Sequence, residues 1–214
     1  MTATSENPTR QGINAHVDRR ARELFKGMRG NNGAAIGALA KLRRAATSDI
    51  GEDPAAWQVA FLGFGDRTSD DLPFPTAQET GVYLALTTFA LHQQSKNESM
   101  HVDGPSLGTA LNRLAHAGGG ADGPSEPVIR RFNALVTADS DEETRWHLRS
   151  LIGQLRARSI ELDYGRLADD LAALAGRTRK GENEGAARRR VQLQWSRDFS
   201  RTPKTADPSA TTND

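Results

Sequence analysis

The sequence predicts an all-α protein in which about eight to nine helices form two packed helical bundles. Only 6% of the 214 residues are aromatic and 36% are hydrophobic, so Leu, Ala and Val dominate any core. This composition favours helices over strands. Apolar residues also recur at helical spacing through most of the chain, and no repeat of fixed period is visible. The absence of cysteine excludes disulfides and cysteine-ligated zinc.

Five helices are predicted in the first half of the chain, over residues 16–29, 34–46, 54–62, 77–93 and 106–116. The first has one apolar face and one basic face, and glycines and asparagines end it. Pro54 suits the first turn of the third helix. The fourth is apolar nearly all round, which is typical of a buried helix, and Ser106 caps the fifth.

Three further helices are predicted over residues 125–138, 141–157 and 164–174. Ser140, with Glu143 three residues later, is a capping box for the helix that begins at residue 141. The charged stretch 177–185 is predicted to be a loop. The segment 191–199 also fits the alternation of a strand, but large apolar residues at steps of four favour a helix there.

The ends of the chain and one internal stretch differ in composition from the rest. Residues 1–13 and 202–214 are polar and are predicted to be disordered tails. The glycine-rich stretch 118–124 is predicted to link an N-terminal lobe, 14–117, to a C-terminal lobe, 125–201. The N-terminus has no apolar signal segment, and the apolar stretch 81–91 is too short to cross a bilayer. A cytoplasmic protein without membrane contact is expected.

Sequence motifs give little support for catalysis or metal binding. Residues 104–108, GPSLG, match the nucleophile-elbow pattern, but that motif needs a core strand before its serine, and the preceding residues are polar. The five histidines lack the spacings of zinc motifs, and no glycine loop for phosphates is present. The sequence therefore predicts a non-catalytic protein with no metal and no cofactor.

Charge is distributed unevenly along the chain. Residues 16–50 hold eight Lys or Arg against three Asp or Glu, residues 51–109 hold two against eight, and residues 125–201 hold fifteen against twelve. Basic regions around an acidic middle suggest one surface for a polyanion and another for a different partner. Different helices could instead simply carry different surface charge.

Arginine is the main source of the positive charge, with 23 Arg to 5 Lys. On the helix 141–157, Arg145, Arg149 and Arg156 lie within about 40° of one another, in a stripe about 16 Å long. Such a stripe can meet several phosphates of one strand, because arginine suits bidentate phosphate contacts. Any single arginine could instead be a solvated helix edge. Further basic candidates are Arg19, Arg22, Lys26, Arg29, Arg113, Arg130 and Arg131.

The adjacent arginines in ALAKLRRA, residues 38–45, are predicted to have separate roles. Arg43 falls in the same helical sector as Leu39, whereas Arg44 lies about 80° away, beside Lys41. We therefore expect Arg43 to be partly buried, pairing with an acidic group or reaching through a groove. Arg44 is the better surface contact for a phosphate.

Seven segments in series resemble a known family. They are KLRRA, ETGVYLALTTFALHQQ, SLGTALNRLA, RRFNALVTADS, HLRSLIGQLRA, LDYGRLADDL and WSRDF, spread over residues 24–199. Together they resemble CasB, the small subunit of the type I-E CRISPR surveillance complex called Cascade. The sequence departs from the family in a longer loop at 97–104 and in the charged insertion at 177–185.

The resemblance implies an all-helical, two-lobed, non-catalytic subunit. In this family two copies pack head to tail, against backbone subunits that carry the guide RNA and next to the large subunit. The basic surface helps to hold the R-loop open, including the displaced single DNA strand. By motif position the nucleic-acid candidates are Arg43, Arg44, Arg113, Arg130, Arg131, Arg149 and Arg156. The alternative left open is a helical adaptor that contacts only protein.

Overall fold

The computed structural model describes residues 12–64, 72–117, 123–138 and 140–201. Over these ranges the chain forms nine α-helices, and its sole β pairing is an isolated bridge between His101 and Leu162. The predicted all-α class is confirmed. Within the same ranges no helix combines the length and the apolar character that crossing a membrane requires.

The helices are numbered in chain order. They are α1 Ile13–Arg29, α2 Gly33–Ala45, α3 Pro54–Phe61, α4 Ala77–His92, α5 Leu107–His116, α6 Glu126–Val136, α7 Asp141–Arg158, α8 Tyr164–Leu174 and α9 Glu184–Phe199. The segment with the ambiguous pattern is therefore helical, as predicted. Because Asn183 caps α9 by accepting from the Ala186 N–H, the loop predicted over 177–185 ends two residues earlier than expected.

Side-chain caps begin most of the helices. Ser106 accepts a hydrogen bond from the Thr109 N–H, as predicted. Ser140 accepts one from the Glu143 N–H, which is the serine half of the capping box predicted there. A full capping box, missed in the sequence, begins α4, where Thr76 and Glu79 satisfy each other's backbone N–H groups. Its signal is the Thr-x-x-Glu spacing directly before an apolar run.

The predicted tails and linker fall mostly outside the described residues. The N-terminal tail, predicted over 1–13, is one residue too long, because Ile13 begins α1 and is only 2% exposed. An apolar side chain at that position joins the core rather than the solvent. Residues 1–11, 118–122 and 202–214 lie outside the described part of the chain.

One hydrophobic core runs through helices from both sides of the predicted linker. The central helix α4 is buried on nearly every side, as predicted, and packs most extensively against α8, with α1 and α2 also in contact. Conversely, α5 packs against α9, α6 and α7. The order of packing therefore does not follow the boundary at 118–124, and the division into two lobes stays a prediction.

Two glycines allow the closest helix contacts across that boundary. A Cβ atom on Gly81 of α4 would lie 2.5 Å from the backbone oxygen of Ala168 on α8. A Cβ atom on Gly108 of α5 would meet the backbone oxygen of Trp195 on α9. Both positions lack room for any side chain, because real Cβ atoms do not approach other atoms so closely.

Candidate nucleic-acid interface

Some side chains on the basic face of α1 form hydrogen bonds with other parts of the protein, and others are exposed at the end of the helix. Arg22 donates to Asp18 at 2.9 Å and to Asp103 at 2.7 Å. Arg19 donates to the Gly63 carbonyl at 3.0 Å. Lys26 and Arg29, by contrast, are exposed in the last turn, where a basic side chain also complements the helix dipole.

The two adjacent arginines at the end of α2 differ in exposure as predicted. Arg43 is partly buried, whereas the side chain of Arg44 is 72% exposed. Arg44 lies 3.9 Å from Asp53, a distance typical of a weak surface ion pair. An acidic partner for Arg43 is not found among the described residues, and the alternative, in which Arg43 reaches through a groove, stays a prediction.

The arginine stripe on α7 contacts other parts of the protein. Arg145 donates to Asp49 at 3.0 Å, and Arg149 donates to the Ala46 carbonyl at 2.9 Å. Arg156 donates to the side-chain oxygen of Gln94 at 2.6 Å. These bonds tie α7 to the segments that follow α2 and α4. Phosphate contact by the stripe stays a prediction, and it would compete with these bonds.

The arginines of α5 and α6 are more open. Arg113 is exposed in the last turn of α5. The side chain of Arg130 is 68% exposed and lies 4.0 Å from Glu126, one turn earlier on the same helix. Arg131 is exposed and donates to the Pro127 carbonyl at 3.3 Å. These contacts are local to one helix, so the charges face the solvent.

Six of the twelve predicted site residues thus share an exposed side chain without a strong partner elsewhere in the described fold. We call them the exposed cation set: Lys26, Arg29, Arg44, Arg113, Arg130 and Arg131. The other six, apart from Arg43, hold their side chains in contacts between separate segments of the chain.

Ser106 has a structural explanation in this fold. Besides capping α5, its hydroxyl donates to Asp198 of α9 at 2.7 Å. Burial of Asp198 would raise the pKa of its carboxyl group, but hydrogen bonds from Gln194 and Ser106 and the charge of Arg166 together lower that pKa. The Ser106 hydroxyl therefore donates to an ionised carboxylate, and this hydrogen bond joins the start of α5 to α9.

One described cluster has the composition of a metal site, formed by Asp18, His101 and Asp103. The guanidinium of Arg22 contacts both aspartates. The His101 ring accepts from the Tyr164 N–H at Nδ1, and its Nε2 lies 2.7 Å from Asp18. The protein's own cation and hydrogen bonds therefore engage all three side chains of this cluster.

A basic pocket between α8 and α9 was missed at the sequence level. Its volume is about 640 Å³. Its charged lining comprises Arg166, Asp169, Asp170, Arg177, Arg179, Lys180 and Arg190. The available signals were the run RTRK at 177–180 and the run of three arginines at 188–190. Only the fold brings these runs together, because Gly176 and Gly181, both with positive φ, turn the chain between the helices.

Comparison with known proteins gives a consistent result. The family model of "CRISPR-associated protein Cse2" matches residues 38–199. The crystal structure of CasB from Thermobifida fusca is 30% identical, with a TM-score of 0.65 over 87% of this chain and 97% of that chain. No curated protein sequence matches the chain.

Two further solved structures are similar. A Cse2-family CRISPR-associated protein from Thermus thermophilus is 26% identical, with a TM-score of 0.59 over 85% of this chain and 96% of that chain. A chain of a CRISPR RNA-guided surveillance complex is 24% identical, with a TM-score of 0.53 over 87% of this chain and 92% of that chain. The latter agrees in fold.

Proposed function

This chain belongs to the CRISPR-associated Cse2 family, and from that premise we propose that it is a non-catalytic subunit of an RNA-guided Cascade complex. In this proposal the subunit contacts nucleic-acid backbone and stabilises the R-loop, including the target strand and the displaced strand. Its partners are the guide RNA, the backbone and large subunits, and a second copy of itself, all in the cytoplasm.

The observation that supports this role best is the exposed cation set. Arg44 and Arg130 keep 72% and 68% of their side-chain surface exposed, and their nearest carboxylates lie 3.9 Å and 4.0 Å away. Such weak pairs contribute little to stability, so the charges remain available to phosphates. Each phosphate that a cation neutralises releases counterions and adds salt-dependent affinity without reading sequence.

Modest backbone contacts are sufficient for this role. R-loop formation exchanges a DNA duplex for an RNA–DNA duplex of similar stability, so a small additional free energy shifts the balance. An exposed surface that holds the displaced strand supplies that free energy. The exposed cation set of the isolated subunit is then expected to contact single strands weakly, without sequence preference and with strong dependence on salt.

The test is R-loop formation by the reconstituted complex with the double variant Arg130→Glu, Arg131→Glu. We expect weaker R-loop formation and a shallower dependence of the binding constant on salt, by about 0.7 in the log–log slope for each lost single-strand phosphate contact. The matched control is Arg189→Glu, Arg197→Glu, which reverses two exposed arginines of α9 outside the exposed cation set.

A helical adaptor that contacts only protein is the second candidate, because several arginines pair with acidic residues of the chain itself, such as Arg22 with Asp18 and Asp103. It predicts full assembly of the complex and unchanged DNA affinity for the Arg130→Glu, Arg131→Glu variant. That result, repeated with Lys26→Glu, Arg29→Glu, would reject nucleic-acid contact by the exposed cation set.

A further inference from the structure

The pocket between α8 and α9 is shaped by the turn that ends α8. Gly176 adopts a φ of 99°, and the Arg177 N–H donates to the Ala172 carbonyl at 2.8 Å. This is the Schellman arrangement, in which a left-handed glycine reverses the chain after a helix. It carries residues 177–180 over the groove between the two helices.

Ion pairs fix three arginines in the wall of the pocket. Arg166 donates to Asp198 at 3.2 Å, and Arg190 contacts Glu182 at 3.0 Å. Arg177 pairs with Asp169. Arg179 and Lys180, in contrast, are exposed at the rim, and neither forms an ion pair within the described ranges. Both cations are therefore exposed to meet an anion, while the hydrogen bond from Arg190 and the charge of Arg179 lower the pKa of Glu182.

A carboxyl group lines the same pocket. Asp170 lines the pocket, and its Oδ2 accepts a hydrogen bond of 2.7 Å from the indole N–H of the buried Trp195. Its second oxygen, Oδ1, has no hydrogen-bond donor among the described residues. Burial raises the pKa of Asp170 to about 6, partly opposed by the Trp195 hydrogen bond, so the group is mainly ionised at neutral pH.

We propose that this pocket binds an unpaired guanine nucleotide, with the base at Asp170 and its phosphate at Arg179 and Lys180. The inference rests on the proposed function, because a nucleic-acid-binding subunit meets single-stranded bases. The volume of about 640 Å³ falls within the range of roughly 300–1,000 Å³ that small-molecule sites occupy.

Guanine matches the Asp170 carboxylate better than the other bases do. Its Watson–Crick edge presents two adjacent N–H donors, from N1 and N2, which match a carboxylate with free acceptor capacity. Adenine and cytosine each place an acceptor beside their amino group, and thymine and uracil flank one N–H with two carbonyls. Those acceptors would face the ionised Asp170 and repel it.

The indole N–H of Trp195 provides a direct readout, because it donates to the carboxylate that would bind the base. In ¹⁵N-labelled protein, GMP is expected to shift the Trp195 indole resonance and to leave those of Trp57 and Trp146 unchanged. AMP, CMP and UMP are expected to cause much smaller shifts. Equal shifts with all four nucleotides, or none with GMP, would overturn the proposal.

The variant Asp170→Asn tests the contact between the base and Asp170, because the asparagine amide oxygen can still accept from Trp195 while the negative charge is lost. We expect GMP affinity to fall about tenfold or more, as for a lost bidentate base contact. Arg179→Ala, Lys180→Ala should weaken GMP and leave guanosine unchanged, which tests the rim even if Asp170→Asn fails to fold. Arg158→Ala, an exposed arginine outside the pocket, is the matched control.

Binding of oligonucleotides distinguishes guanine within a strand from a free nucleotide. It also distinguishes failure of the pocket proposal from failure of the proposed function. Preference for a strand with one guanine over oligo(dT), lost in Asp170→Asn, identifies guanine within a strand, whereas GMP binding without that preference identifies a free nucleotide. Salt-dependent binding of oligo(dT) that persists in Asp170→Asn and is lost in Arg130→Glu, Arg131→Glu is assigned to the exposed cation set. Its persistence without any guanine preference would reject the pocket and retain the proposed function.

Discussion

Arg149 of α7 donates a hydrogen bond of 2.9 Å to the backbone carbonyl of Ala46, the residue that caps the end of α2. The last carbonyls of a helix have no partner inside the helix, so this guanidinium satisfies a group that otherwise requires water. Arg145 reinforces the contact by pairing with Asp49, three residues further along. In a protein rich in arginine, these two side chains join α7 to the segment that follows α2.

Replacing Arg149 by alanine is therefore expected to lower stability. The loss of a charge-assisted hydrogen bond at a partly buried site should cost about 1.5 kcal/mol of unfolding free energy. Urea denaturation followed by circular dichroism measures it. Arg131→Ala, on an exposed arginine with a local contact, should change stability by less than about 0.5 kcal/mol. A stable Arg149→Ala protein with weakened DNA binding would instead assign Arg149 to the interface.

The adjacent arginines at the end of α2 should respond differently to the same substitution. Arg43 is partly buried, so Arg43→Ala removes packing by its aliphatic stem and lowers the melting temperature. Arg44 is 72% exposed, so Arg44→Ala should leave the melting temperature nearly unchanged and weaken nucleic-acid binding. Thermal unfolding and salt-dependent binding to oligo(dT) separate the effects. Equal effects of both variants on both properties would contradict this division.

The sequence predicted that arginines share one edge of α7 but not which neighbours they contact. Arg145 and Arg149 do share one edge of α7, because helical spacing alone determines which residues align. What that edge contacts depends on the position of Ala46 and Asp49, about 100 residues earlier in the chain. Periodicity within one helix carries no information on that pairing. An arginine stripe that is hydrogen-bonded to the rest of the protein therefore has the same sequence pattern as one that faces the solvent.

Two serine caps provide a matched comparison for the Ser106 contact. Ser140 accepts from one backbone N–H, whereas Ser106 also donates to the buried Asp198. Ser140→Ala should cost about 1 kcal/mol, the usual value for a lost cap. Ser106→Ala should cost about 1–3 kcal/mol more, because it removes a donor from a buried carboxylate. Chemical denaturation of both variants measures the difference, and equal losses would show that the Asp198 bond contributes nothing.

Gly81 should tolerate no side chain. In Gly81→Ala the new methyl group would lie 2.5 Å from the Ala168 carbonyl, which forces α4 and α8 apart, so we expect a loss of about 2–3 kcal/mol. Gly37→Ala on α2 is the control, because nothing lies within 4 Å of its Cβ position. That substitution should stabilise the protein by about 0.5–1 kcal/mol. A Gly81→Ala protein of unchanged stability would disprove the close packing of α4 on α8.

Gly81 also shows why helix packing was harder to predict than the helices. Caps such as Ser106 and the buried pattern of α4 are local, and the sequence predicted both. The contact between Gly81 and Ala168 joins residues on opposite sides of a glycine-rich stretch that the sequence marks as a boundary. A glycine inside an apolar helix reveals that something approaches closely, but not which helix does so.

A buried histidine couples the core to pH. His92 of α4 is 0% exposed, and its Nδ1 lies 3.0 Å from the hydroxyl of Tyr164 on α8. Burial lowers the pKa of His92 from 6.5 to about 4, and the charges of Lys96 and Arg156 act in the same direction. Asp170 shifts the other way, since burial raises its pKa from 3.8 to about 6.

His92 should make the protein less stable as pH falls from about 6.5 to about 4, because the unfolded state then binds a proton that the folded state excludes. The shift corresponds to roughly 3 kcal/mol over that window, with the contribution fully present above pH 6.5. Asp170 opposes it below about pH 6, since the folded state holds that proton more tightly. Comparing denaturation of His92→Gln and the parent protein from pH 7 to pH 4.5 isolates the histidine, because Asp170 contributes to both. The variant should lose less stability on acidification, whereas His116→Gln, at an exposed site, should follow the parent; identical pH profiles for all three proteins would refute a neutral buried His92.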